Sequence, residues 1–148
     1  MQRLLIISCL TLIMLSCGVV DTQETLKKEI AEGTPYVTYN GIVSEDGNSQ
    51  ASFTMVNDST ETIQYFAYSA TAPHYSTEVL SDTGWVYLLW NWCGTGADYI
   101  SLEPGSSFDF VTQLPYEDCS WRVLISVANL DYSNSYILRS EAIEYSAP

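Results

Sequence analysis

Every aromatic residue of this chain lies at or beyond Tyr36: the 11 Tyr, 4 Trp and 4 Phe are all absent from the segment before it. Large apolar side chains supply most of the buried area of a small core, so the packed domain is expected to span residues 36–148. Within that span the pattern is one of short runs rich in Val, Ile, Thr and aromatics, separated by Gly, Pro, Asn and Asp. Apolar residues alternate in Ala51, Phe53 and Met55, in Phe108 and Phe110, and in Trp121, Val123, Ile125 and Val127. Side chains of a strand point alternately to its two faces, so each of these runs has one face for a core. The spacing predicts strands at 36–43, 50–56, 62–69, 85–92, 99–102, 107–114, 121–128 and 136–145. About eight short strands in one domain fit an all-β fold, an antiparallel sandwich of two sheets.

The run Leu102-Glu103-Pro104-Gly105 followed by Phe108 and Phe110 is a strand end, a Pro-Gly turn and an alternating strand. It resembles the L-x-P-G pattern of bacterial immunoglobulin-like domains, and the strand arrangement is similar to immunoglobulin-like and fibronectin-III-like domains. That resemblance covers residue 36 to the end and implies a fold, not an activity.

Residues 1–16 read as a signal peptide: Arg3, an apolar stretch, then the small Ser16. Met14-Leu15-Ser16-Cys17-Gly18 resembles the lipobox of bacterial lipoproteins. The resemblance implies that Cys17 carries the lipid, becomes the mature N-terminus and fixes the protein to a membrane of the cell envelope. An uncleaved anchor over residues 4–20, or plain cleavage releasing the protein, are the alternatives; both leave Cys17 without a use. Residues 17–35 then form a tether, with Leu26 and Ile30 four apart and Gly33 and Pro35 as stop signals for a short helix.

Export bears on the cysteines. Cys9 leaves with the signal and Cys17 is lipidated, so Cys93 and Cys119 form an even pair in an oxidising compartment, and a disulfide is expected. If successive strands reverse direction one by one, the two cysteines fall at the same end of the sandwich. Closing that loop is worth about 3 to 4 kcal/mol on the chain-entropy account.

Charge and ligand chemistry then exclude several functions. Five Lys and Arg against 18 Asp and Glu give a net charge of -13, which repels nucleic acid. His74 is the sole histidine, so a Ser-His-Asp or Cys-His nucleophilic site would need His74 itself as its base, and a multi-histidine zinc site or a blue-copper site has too few ligands. There is no phosphate-cradling glycine motif. No cofactor, catalytic residue or metal ligand is therefore expected. The acidic runs Glu45-Asp46-Gly47-Asn48 and Asn57-Asp58-Ser59-Thr60-Glu61 offer oxygen atoms without the spacing of a calcium loop and read as turns.

What remains is a binding or structural module of the cell envelope. Strand counting with simple alternation puts the connection from 70 to 84 and the turn from 129 to 135 together, at the end away from the tether. His74, Tyr75, Asp131 and Tyr132 are the expected partner-binding surface, for a protein or a glycan. Two other readings are a carbohydrate-binding domain with an open aromatic face built on Trp85, Trp90 and Trp92, and a small hydrolase with a carboxylate pair.

Overall fold

The computed structural model describes residues 33–88 and 95–148. The signal, Cys17, the possible tether helix, Trp90, Trp92 and Cys93 lie outside the described residues. The fold is all-β, an antiparallel sandwich of a three-stranded and an eight-stranded sheet.

The smaller sheet is β1 (Tyr36–Glu45), β2 (Asn48–Val56) and β8 (Ser107–Gln113), in the order β1-β2-β8. Asp46 and Gly47 join the first two as a two-residue turn, both with positive φ (50° and 80°). That geometry matches the twist of a hairpin, and Asp-Gly is the sequence that favours it. In β1 the register shifts between Tyr39 and Gly41, and Gly41 takes a φ of 121° that a side chain would strain. Beyond this bulge, Ile42 and Val43 are exposed.

The larger sheet is organised by β9 (Cys119–Asn129). One edge of β9 pairs with β3 (Ile63–Ser69) near its end and with β5 (Tyr75–Ser81) near its start. Both run antiparallel to β9, so they act as one long strand that leaves the sheet after Tyr65, turns back as β4 (Ala72–Pro73) and returns at Tyr75. The His74 N–H donates to the Phe66 carbonyl at 2.7 Å and closes the excursion.

β6 (Gly84–Leu88) pairs with β5, and β7 (Asp98–Leu102) pairs with β3, again in a common direction. The other edge of β9 carries β10 (Ser135–Arg139) and β11 (Ile143–Tyr145), interrupted at the buried Ser140. There the Val123 N–H donates to Ser140 Oγ at 3.0 Å and the Ser140 N–H to the Val123 carbonyl at 2.9 Å, so a side chain takes the place of a missing ladder acceptor.

The two sheets meet through aromatic rings. Phe53 of β2, fully buried, meets Trp121 of β9 edge to face at 5.9 Å and stacks on Phe110 at 5.5 Å. Tyr65 of β3 stacks on Phe108 of β8 at 5.0 Å. At the end where the chain enters, Asn57 is buried: its side-chain amide donates to the carbonyls of Leu102 and Glu61 at 2.8 and 2.9 Å, and its backbone bonds Ser106 and Gly105. The second acidic run is thus a polar knot that fastens the connection after β2 to the one before β8.

Thr112 of β8 is buried with its hydroxyl unpartnered. A buried polar atom without a hydrogen bond costs about 1–3 kcal/mol. Thr112→Val keeps the shape and removes that atom, so it should raise the free energy of unfolding by about 1 kcal/mol in a denaturant melt. A loss of stability would show that the hydroxyl has a partner in solution.

Candidate functional site

The expected surface residues fall in three different settings. Tyr75 is paired with Ile125 and turned inward against the core, and its hydroxyl accepts the Gln113 N–H across the sandwich at 3.2 Å. Asp131 builds its own turn, accepting the Ser133 N–H at 3.0 Å; the bonds from Ser133 hold its carboxyl below the usual carboxylate range. His74 and Tyr132 do belong to one feature, through two residues that were not anticipated. His74 meets Phe66 at 5.9 Å, Phe66 meets Tyr99 at 5.2 Å, and Tyr99 meets Tyr132 at 5.0 Å, a row along the outside of the larger sheet. Its rings are inclined to one another by 74°, 54° and 72°, so they pack together and do not form a flat platform.

The ends of the sandwich also differ from the expectation. Strand alternation fails between β6 and β7, which run the same way, so every strand after Tyr99 is reversed relative to the simple count. The turn after Asn129 therefore lies at the end where the chain enters, since Asn129 is level with Ile63 and Tyr36 with Val56. His74 stands partway along the sheet, because Tyr75–Ser81 is a strand and not a loop. The same reversal removes the strand-direction argument for a bond between Cys93 and Cys119. β6 is parallel to β9 and carries the chain away from Cys119, whose thiol is free; Cys93 lies outside the described residues. Burial, then the carboxylates of Asp118, Glu144 and Glu117, push the Cys119 thiol up, so it stays protonated at neutral pH.

Trp85 is half-buried and lies on Arg122, whose guanidinium carbon is 4.0 Å from the ring centre. Arg122 in turn donates to the buried Glu78 through Nε at 2.7 Å and Nη2 at 2.6 Å, with Arg139 Nε at 3.9 Å. Both arginines of the described residues thus converge on one carboxylate. One face of the Trp85 ring is occupied within the molecule, so Trp85 does not offer an open stacking surface on that side.

A groove lies at the other end of the sandwich. The hairpin of β1 and β2 supplies Asp46, Asn48, Ser49 and Gln50; the end of β8 supplies Gln113 and the segment after it Leu114, Pro115 and Tyr116; Tyr145 of β11 completes it. Its volume is about 550 Å³, within the range of small-ligand sites. Both walls are braced. The hairpin turn is closed by its left-handed residues and the Ser44 and Ser49 hydroxyls meet at 3.3 Å. Across the groove, Pro115 is buried and the Asp118 carboxylate accepts the Ala147 N–H at 2.8 Å, while Tyr116 stands 86% exposed. None of these groove residues was singled out as a site by sequence; the signals were the Asp-Gly hairpin and the isolated Pro-Tyr pair after β8.

Among the described residues no cluster of three or more His, Cys, Asp or Glu side chains could hold a metal ion. Asp46 is the one carboxylate among the described groove residues, and a glycosidase needs two facing the scissile bond. No protein-family model matches the chain, and no curated protein matches it.

Burial lowers the His74 imidazole below its ordinary value of 6.5, so the unfolded chain takes up that proton more readily than the folded one. The stability it contributes is complete above about pH 6.5 and is lost as pH falls through the lowered value. His74→Gln should flatten that part of the stability profile in urea melts between about pH 7.5 and 5; an unchanged slope would contradict the assignment.

Proposed function

We propose that this chain is an exported, non-catalytic binding module of the bacterial cell envelope, anchored by a lipid on Cys17, that holds its binding groove away from the membrane. One observation carries the reading. The chain enters the sandwich at Gly33 to Tyr36, and the groove lies at the far end of β1, ten residues and roughly 30 Å away at about 3.3 Å per residue. An anchor before Gly33 therefore leaves the groove facing outward and unobstructed.

The composition supports the same reading. An acidic domain whose two arginines are both committed to Glu78 has little attraction for phosphate-rich surfaces, so a membrane contact is expected to come from the lipid and not from the domain.

The anchor is tested by labelling cells with a radioactive fatty acid and separating membranes from soluble protein. The wild-type chain should carry label and sediment with membranes, and Cys17→Ser should lose the label and move to the soluble fraction. Label retained by Cys17→Ser would overturn the anchor assignment.

A further inference from the structure

We infer that the groove at the hairpin end is a site for a neutral oligosaccharide. This rests on the reading of the chain as a binding module and names the ligand class of its groove. Three observations point the same way.

The first is Tyr116. A tyrosine ring 86% exposed leaves apolar area in water, and it does so from a segment pinned on both sides by the buried Pro115 and by the bond from Ala147 to Asp118. A ring presented by a braced segment loses little freedom on binding, which is how aromatic residues gain contact at low entropic cost. Tyr145 borders the same groove. The apolar C–H face of a pyranose ring covers such a ring, whereas its equatorial hydroxyls point sideways toward the walls.

The second is the polar lining. Asn48, Gln50 and Gln113 carry amides and Ser49 a hydroxyl, groups that both donate and accept hydrogen bonds. Sugar hydroxyls also do both. A cationic peptide would call mainly for acceptors, and Asp46 is the one carboxylate among the described groove residues.

The third is charge. No Lys or Arg lines the groove, and the two arginines of the described residues are engaged at Glu78 on the larger sheet. Asp46 within the groove, and Glu117 and Asp118 in the segment beside Tyr116, make its surroundings negative. Uronic acids, sulfated sugars and phosphates are repelled there.

Isothermal titration of the purified full-length chain tests the assignment. The probes are chitotriose, cellotriose and maltotriose as neutral sugars, trigalacturonic acid as the anionic one, and a deca-lysine peptide as the cationic one. At least one neutral trisaccharide should bind with Kd below about 10 mM, and trigalacturonic acid should not bind. Tyr116→Ala should weaken the sugar at least about tenfold with Tm unchanged, because the side chain is outside the core. Gln113→Ala, which removes one of the lining amides, should weaken it too. Failure of all three neutral sugars, or equal affinity in Tyr116→Ala, would overturn the saccharide assignment. Deca-lysine binding lost in Tyr116→Ala, with no sugar bound, would overturn the ligand class while leaving the binding module standing. Loss of membrane attachment is a separate readout and would bear on the anchor alone.

Discussion

The edge-to-face contact between Phe53 and Trp121, 5.9 Å between ring centres, is the contact on which the sandwich turns. Each ring is fully buried and each sits on the middle strand of its sheet, β2 between β1 and β8, and β9 between the two interrupted strands. A sheet has no reason to pack on another unless their inner faces interlock, and here the interlocking groups are aromatic: Phe53 with Trp121, Tyr65 with Phe108. Once those faces are fixed, the register of every neighbouring strand follows, because a slip of one residue would turn the apolar set outward.

β9 imposes the second constraint. It is 11 residues long, whereas the strands on either side of it are built from shorter pieces. The chain meets that demand by interruption. β3 and β5 share one edge and bracket the excursion that carries Phe66 and His74; β10 and β11 share the other and are joined by the Ser140 side chain. The first interruption places an aromatic row on the outside of the sheet, where its rings pack on one another. The hairpin of β1 and β2, bulged between Tyr39 and Gly41, runs on to the far end and forms one wall of the groove. The two ends of the molecule consequently have different characters, a hydrogen-bonded knot around Asn57 where the chain enters and an open polar groove where it is farthest from that entry.

Much of the fold was legible because alternation is a local signal. Phe53, Phe110, Trp121, Val123, Ile125 and Val127 all face the core as their spacing requires. Strand direction was less legible, since it depends on whether a break in the pattern is a reversal or an excursion. The break between β6 and β7 is of the second kind, and the sequence there has the same turn residues either way. That single difference moved the turn at Asp131 and Tyr132 to the other end. Tyr75 was misplaced for another reason: its neighbours Pro73 and His74 read as loop, yet Tyr75 itself opens a strand and reaches across the core to Gln113. The groove was illegible from sequence because its members come from residues 46–50, 113–116 and 145, which only the two-sheet packing brings together.

The proposed recognition lies at the end of the sandwich opposite the chain's entry. Amide chemical-shift mapping of the full-length chain on addition of a neutral trisaccharide measures this directly. Shifts should concentrate at Asp46, Asn48, Gln50, Gln113, Tyr116 and Tyr145, with the row of Phe66, Tyr99 and Tyr132 undisturbed. Shifts centred on that row, or on the turn at Asp131, with the groove silent would contradict it.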